Sequence, residues 1–133
     1  MIGFTVFSNA QKSARDARRR GDVDAIANAL EVNKVATATT YAALADAQFS
    51  GGTTPVESNN GSATYCAASS TTAGATPPAK PTTWATTSVC PTSYTTVAGG
   101  TTPIPAGTAT AWTICALLEI GTNPTVYCKS SAQ

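Results

Sequence analysis

Lys12-Ser-Ala-Arg-Asp-Ala-Arg-Arg-Arg-Gly-Asp-Val-Asp-Ala-Ile-Ala-Asn-Ala-Leu-Glu-Val-Asn33 decides how this chain of 133 residues is read. Alanine, arginine, lysine, glutamine, leucine and glutamate dominate it and the residues just before it, so intrinsic propensity predicts one helix over 4–34. Val23, Ile26, Ala27 and Leu30 recur at three- and four-residue steps, the stripe of a helix that packs on something. Phe7, Ala10, Ala14 and Ala17 are expected to continue that stripe in smaller residues. Asp16 with Arg20, Arg18 with Asp22 and Arg20 with Asp24 stand four apart, where exposed charges satisfy one another along a helix. Each such pair is worth only about 0.2–0.5 kcal/mol, so these pairs solubilise the helix rather than hold it. Gly21, inside the run, is where a bend is expected.

Beyond residue 50 the composition changes. All 8 prolines lie from Pro55 onward, whereas six of the 8 basic residues lie between Lys12 and Lys34. Tyr41 to Phe49 has helical spacing and stops at Gly51-Gly52. Thr53 to Pro81 has few apolar anchors and reads as loop, with one short strand at Ala63 to Ala68. Strands are expected at Thr83 to Cys90, Tyr94 to Ala98, Thr108 to Glu119 and Thr125 to Ser130. The last two form a hairpin around Ile120-Gly121-Thr122-Asn123-Pro124, since proline is poorly tolerated inside a central strand. If Glu119 faces Pro124, Cys115 lies opposite Cys128. Leu117 and Val126 then share the face of the cysteines, and Trp112, Ile114, Leu118 and Tyr127 occupy the other. Both faces are apolar, so the sheet is expected to be covered on each side, on one of them by the helix.

The four cysteines, Cys66, Cys90, Cys115 and Cys128, contain no Cys-x-x-Cys pair, which favours disulfides over a zinc ribbon or a redox motif. Spacing leaves all three connectivities open. The chain is 42% apolar but only 11% charged, and Thr and Ser together number 35. Such a hydroxyl-rich, weakly charged composition is more usual outside the cell. A net charge of +1 argues against a dedicated binder of nucleic acid or anionic membrane. With no histidine, the commonest general base and metal ligand is missing. Asp16, Asp22 and Asp24 sit beside arginines that keep them ionised. Glu31, Asp46, Glu57 and Glu119 form neither a calcium loop nor an acid/base pair. Ala98-Gly99-Gly100 lacks the Lys-Ser/Thr of a phosphate loop. A non-catalytic protein without metal or cofactor is therefore expected.

The segment from Lys12 to Asn33 resembles the exposed half of the N-terminal helix of type IV pilins and type II secretion pseudopilins. Ala14-Arg15-Asp16, Arg18 to Arg20, Asp22 or Asp24, and Ile26 to Glu31 follow the order of that family's (K)ARD-x-x-R-x-x-D cluster and the I-x-x-A-L-E stretch after it. Trp112-Thr-Ile-Cys115-Ala-Leu-Leu-Glu119 and Val126-Tyr-Cys128-Lys-Ser-Ser131 are similar to its closing hairpin. Gly51 to Gly107 matches nothing, in the region where such proteins vary. The family's Gly-Phe-Thr-Leu-Ile-Glu hallmark is echoed only by Gly3-Phe4-Thr5, with Ser8 where the glutamate belongs. The better correspondence puts Ile2 to Ala10 at the end of the membrane half, with the apolar half-helix missing upstream and Met1 added.

The resemblance implies an α+β fold: a long N-terminal helix packed through Val23, Ile26, Ala27 and Leu30 on a small antiparallel sheet. It implies one domain over 1–133, with the helix at 4–34, a variable loop and short-strand region at 35–110 and a C-terminal hairpin at 108–133. The cystines it implies are Cys115–Cys128, stapling the hairpin, and Cys66–Cys90. Function would be structural: a subunit of a surface filament that assembles with other pilin subunits and is membrane-anchored before assembly only through the missing half-helix. Arg15, Arg18, Arg19 and Arg20 would then be filament or surface contacts. DNA is a second partner such an arginine run can serve, but interleaved acids and a near-neutral chain favour the filament face. The alternative is a secreted or cell-surface domain for adhesion or glycan binding, carried on a helical stalk. Trp84 and Trp112 can stack on sugars in that reading, yet in a chain this poor in aromatics they are expected in the core. Asn60-Gly61-Ser62 is a glycosylation sequon, and O-linked sugars on Thr53 to Thr110 are set against a simple soluble loop region, which is favoured.

Overall fold

The helix formers produce one unbroken helix, α1 (Gly3–Val32), in the computed structural model, which describes residues 3–35, 39–56, 65–84, 89–97, 108–121 and 125–131. It runs straight through Gly21 without interruption. It stops two residues before the expected Lys34. The cause is Asn33, whose side chain donates to the Ala29 carbonyl at 2.8 Å while its backbone N–H reaches the same oxygen at 3.2 Å. Lys34–Val35 (β1) then pairs antiparallel with Thr40–Tyr41 (β2).

Tyr41 to Phe49 is not the second helix its spacing suggested. Tyr41 belongs to β2, its N–H bonds the Ala109 carbonyl at 2.8 Å, and only Asp46–Gln48 makes a single 3-10 turn. Tertiary demand decides this: Tyr41 is fully buried, stacks edge-on against Trp112 with ring centroids 5.9 Å apart and donates its hydroxyl to Glu31 at 3.1 Å. Asp46 fixes the loop beyond by accepting from the Thr54 N–H at 2.8 Å and hydroxyl at 2.7 Å.

The main sheet contains β3 (Cys66–Ser70), β4 (Thr95–Thr96), β5 (Ala111–Leu118) and β6 (Thr125–Ser130) in the order β4-β3-β5-β6, antiparallel throughout. In the β5–β6 hairpin Cys115 faces Cys128 and Leu117 faces Val126. Gly121 opens the turn at φ 120°, where a Cβ would collide with the Thr125 hydroxyl, so no other residue fits. The other expected strands are shorter: Ala63 to Ala68 becomes β3, Tyr94 to Ala98 only β4. Of Thr83 to Cys90 the described residues, 83, 84, 89 and 90, are not in a strand.

Alternation along β5 divides the interior into two layers. Trp112, Ile114 and Ala116 meet Val23, Ile26 and Leu30, all fully buried, together with Ala27, Tyr41 and Tyr65. On the opposite face Cys115 and Val126 pack with Cys66 and Trp84, flanked by Tyr94 and Leu117. Among the described residues no helix covers this second face. Loop does, tied to β3 by the cystine Cys66–Cys90, while Cys115–Cys128 joins β5 to β6. Further pins are the Tyr94 hydroxyl on the Ala79 carbonyl at 2.7 Å and the Thr113 hydroxyl on the Pro78 carbonyl at 2.7 Å. Each cystine contributes on the order of 3 kcal/mol.

Truncating Ile26 to alanine should cost about 2–5 kcal/mol, because the rigid β5 strand cannot collapse into the space left. Urea denaturation of wild type and Ile26→Ala measures it; a loss below about 1 kcal/mol would mean the helix does not pack as described.

Candidate assembly surface on the N-terminal helix

Where the helix leaves the sheet, four charged side chains tie it to the hairpin. Asp16 is 4% exposed, and its carboxylate accepts from the backbone N–H groups of Glu119 and Ile120, each at 2.9 Å. Arg19, 5% exposed, donates to Asp16 at 3.1 Å and to Glu119 at 2.9 Å. Arg15 grips the Glu119 carboxylate with two nitrogens, at 2.6 and 2.8 Å. The Arg15 hydrogen bond, assisted by the Arg19 charge, holds the Glu119 carboxyl below its ordinary value.

This clasp corrects the reading of the arginine run. Arg19 is buried, which removes it from an outer contact face, whereas Arg15 stays 30% exposed while bonded to Glu119. Arg18 and Arg20 remain at the surface: Arg18 lies 3.9 Å from Asp22, and Arg20 lies over the Tyr127 ring, 5.8 Å from its centroid. Asp16 pairs with Arg19, three residues on, rather than with Arg20. Asp24 accepts from the Tyr127 hydroxyl at 2.7 Å and sits 3.9 Å from Lys129. Sequence reasoning missed the clasp because Glu119 stands 100 and 104 residues from its arginines and nothing local marks it.

The clasp is also the last anchor of the helix. Among the described side chains of α1 Asp16 is the first that is buried, and those from Val6 to Ala14 are exposed apart from half-buried Lys12. Gly3 to Ala14 therefore extends beyond the clasp for about 18 Å at 1.5 Å per residue. Val6 (63% exposed) and Phe7 (66%) stand on this free half.

Phe7, Ala10, Ala14 and Ala17 do not continue the buried stripe. Six residues from Ala17 to Val23 turn a helix by about 240°, which carries the small residues to the side away from the sheet. There they join Gly21, Ala25 and Val32, all exposed, in a seam of small and apolar residues that exposed Asn28 interrupts. Gly21 costs the helix about 1 kcal/mol relative to alanine, and a Cβ there meets nothing within 4 Å.

A cleft of about 510 Å³ on the far side of the sheet is lined by Ser69, Pro78, Lys80, Pro91, Thr92 and Tyr94, among others. Burial raises the Tyr94 phenol above its ordinary value. Trp84 (4% exposed) and Trp112 (1%) are core anchors, and neither offers a stacking face. The sequon at Asn60 and the carboxylate of Glu57 lie outside the described residues, as does part of the Thr53 to Thr110 stretch. Among the described residues no three His, Cys, Asp or Glu side chains group as metal ligands, and no helix is long and apolar enough to cross a membrane. No protein family, curated protein or solved structure matches this chain.

Removing Asp16 leaves two hairpin N–H groups and a buried guanidinium uncompensated, so Asp16→Ala should destabilise by about 3–5 kcal/mol. A double-mutant cycle with Arg19→Ala in chemical denaturation should give strong coupling, whereas additive losses would mean the two do not act together. Acid provides a second check. The folded value of Glu119 lies below the ordinary 4.5, so unfolded chains take up the proton first. Its stabilising contribution is complete above that ordinary value and is lost as pH falls through the lower folded value. Glu119→Gln should flatten the acid limb of a pH–stability curve; an unchanged limb would remove the clasp as its cause.

Proposed function

We propose that this chain is the head region of a pilin-like subunit of a surface filament, in which α1 packs with the helices of other copies. The observation that carries this reading is the free half of the helix. A soluble domain with no further partner has no use for three turns of helix standing off its hairpin with Val6 and Phe7 in water. The outward seam extends the same apolar character over the part of α1 that rests on the sheet. The cystine-braced sheet supports the reading too, since a subunit displayed at a cell surface works in an oxidising medium. In this reading the membrane is met only through an apolar half-helix upstream of Ile2, before assembly. No catalytic step is assigned, and the residues at work are packing residues: Val6, Phe7 and the small side chains of the seam toward other copies.

The cleft beside Tyr94 favours the second reading, a secreted or cell-surface binding domain with α1 as its stalk. Its walls of proline, serine, threonine and tyrosine, with Lys80 at one side, suit a hydroxyl-rich ligand such as a glycan.

Antibodies against the head separate the two. Labelling of filaments sheared from the source cells, seen by electron microscopy, supports the filament; protein found only in soluble form in the medium defeats it. Phe7→Asp should leave thermal stability within about 0.5 kcal/mol, because the side chain is exposed. The same variant should sharply lower the yield of sheared filaments, and an unchanged yield would remove the free half from the assembly contacts.

A further inference from the structure

We propose that the cleft between the 78–83 and 91–94 segments binds an acidic saccharide, with Lys80 taking the carboxylate of the sugar. The proposal rests on the second reading, in which this cleft is a ligand site, and names the ligand class. The volume of about 510 Å³ lies within the range of sites that take small molecules. The walls are fixed before any ligand arrives. Pro78, Pro81 and Pro91 lock their own φ, and the Tyr94 hydroxyl ties the two segments together at the Ala79 carbonyl. Cys66–Cys90 anchors the second segment to β3 just before Pro91.

Charge chooses the ligand. Lys80 is the single basic residue between Lys34 and Lys129, and none of the described residues that line the cleft is acidic. Among the described residues the Lys80 ammonium has no ion-pair partner, and the hydroxyls of Ser69, Thr82, Thr83, Thr92 and Ser93 around it have no hydrogen-bond partner. The hydroxyls of Thr54, Thr110 and Thr113, by contrast, are bonded within the fold. One unpaired cation among unpaired hydroxyls complements a ring of hydroxyls that carries one negative charge. Ser93 is an independent sign. The Tyr94 N–H closes a turn on the Pro91 carbonyl at 3.0 Å, with Ser93 at its third position and at φ 73°. Glycine suits that position best, and a serine held there is strained. A hydroxyl needed on the cleft wall accounts for the serine.

NMR titration of the full chain with glucuronate, N-acetylneuraminate, glucose and acetate reads the ligand class. At least one of the two acidic sugars should shift the amides of Lys80, Thr82, Thr92 and Ser93 and bind about two- to fivefold more tightly than glucose, the worth of one exposed ion pair. Acetate, which has the charge without the ring, should leave those amides unmoved. Added sodium chloride should erase the margin over glucose. Lys80→Gln should bind acidic and neutral sugars alike. Ser93→Gly should melt no lower than wild type yet bind the acidic sugar more weakly. Glucose binding as tightly as both acids would overturn the acidic class while leaving the cleft a ligand site, whereas silence from all three sugars would remove the ligand site itself. A preference that survives Lys80→Gln, or a Ser93→Gly chain that binds as tightly as wild type, would also overturn the proposal.

Discussion

Asp16 accepting the two N–H groups at the end of β5 is the contact on which the placement of everything else depends. Those N–H groups lie where the hairpin strands part and no longer satisfy each other, so an acceptor must come from elsewhere. A carboxylate four per cent exposed supplies it, and Arg19 between Asp16 and Glu119 offsets the cost of burying that charge. The contact fixes α1 against the sheet lengthwise. Val23, Ile26 and Leu30 then fall over Trp112, Ile114 and Ala116, and the side chains from Val6 to Ala14 are left exposed apart from half-buried Lys12.

The hairpin was the most legible part of the sequence. Its side-chain period is two, and a proline that must sit in the turn leaves one register in which both strands keep consistent faces. The same reasoning failed where the pattern was ambiguous. Tyr-Ala-Ala-Leu-Ala-Asp-Ala-Gln-Phe has helical spacing, yet burying Tyr41 against Trp112 and bonding its backbone to Ala109 outweighs the modest propensity of nine residues. The small-residue half of α1 was assigned to the wrong face for a related reason. A run of alanines fits either side of a helix, and only the larger Val23, Ile26 and Leu30 declare which side is buried. The arginine clasp was not legible at all: Arg15, Asp16 and Arg19 carry the spacing of ordinary surface pairs, and their partner lies at the other end of the chain.

The two faces of the sheet are stabilised by different means, and composition explains the difference. On the helix side large side chains from two regular elements interlock. On the other side the chain has mainly threonine, serine, alanine and proline to offer, and these bury little apolar area. Cys66–Cys90 compensates by fixing that loop layer covalently to β3, while Cys115–Cys128 joins the two hairpin strands. Hydroxyls of Tyr94, Thr110 and Thr113 complete the attachment by donating to carbonyls of the 70–79 segment. A small domain with a one-sided core needs such staples.

The free half of α1 raises the question of why it stays helical. Alone, a segment of this length would be marginal in water, because nucleation fixes several residues before the first hydrogen bond is gained. Here nucleation has already occurred in the packed half, and each further residue only propagates it. Lysine, glutamine, arginine and alanine are suited to that, and the chain departs from good propagators mainly at Val6, Phe7 and the residues next to them. A helix end meant only for solvent would place charge where these apolar residues stand. Phe7, 66% exposed, gains nothing from water, and in the filament reading proposed above it meets another copy.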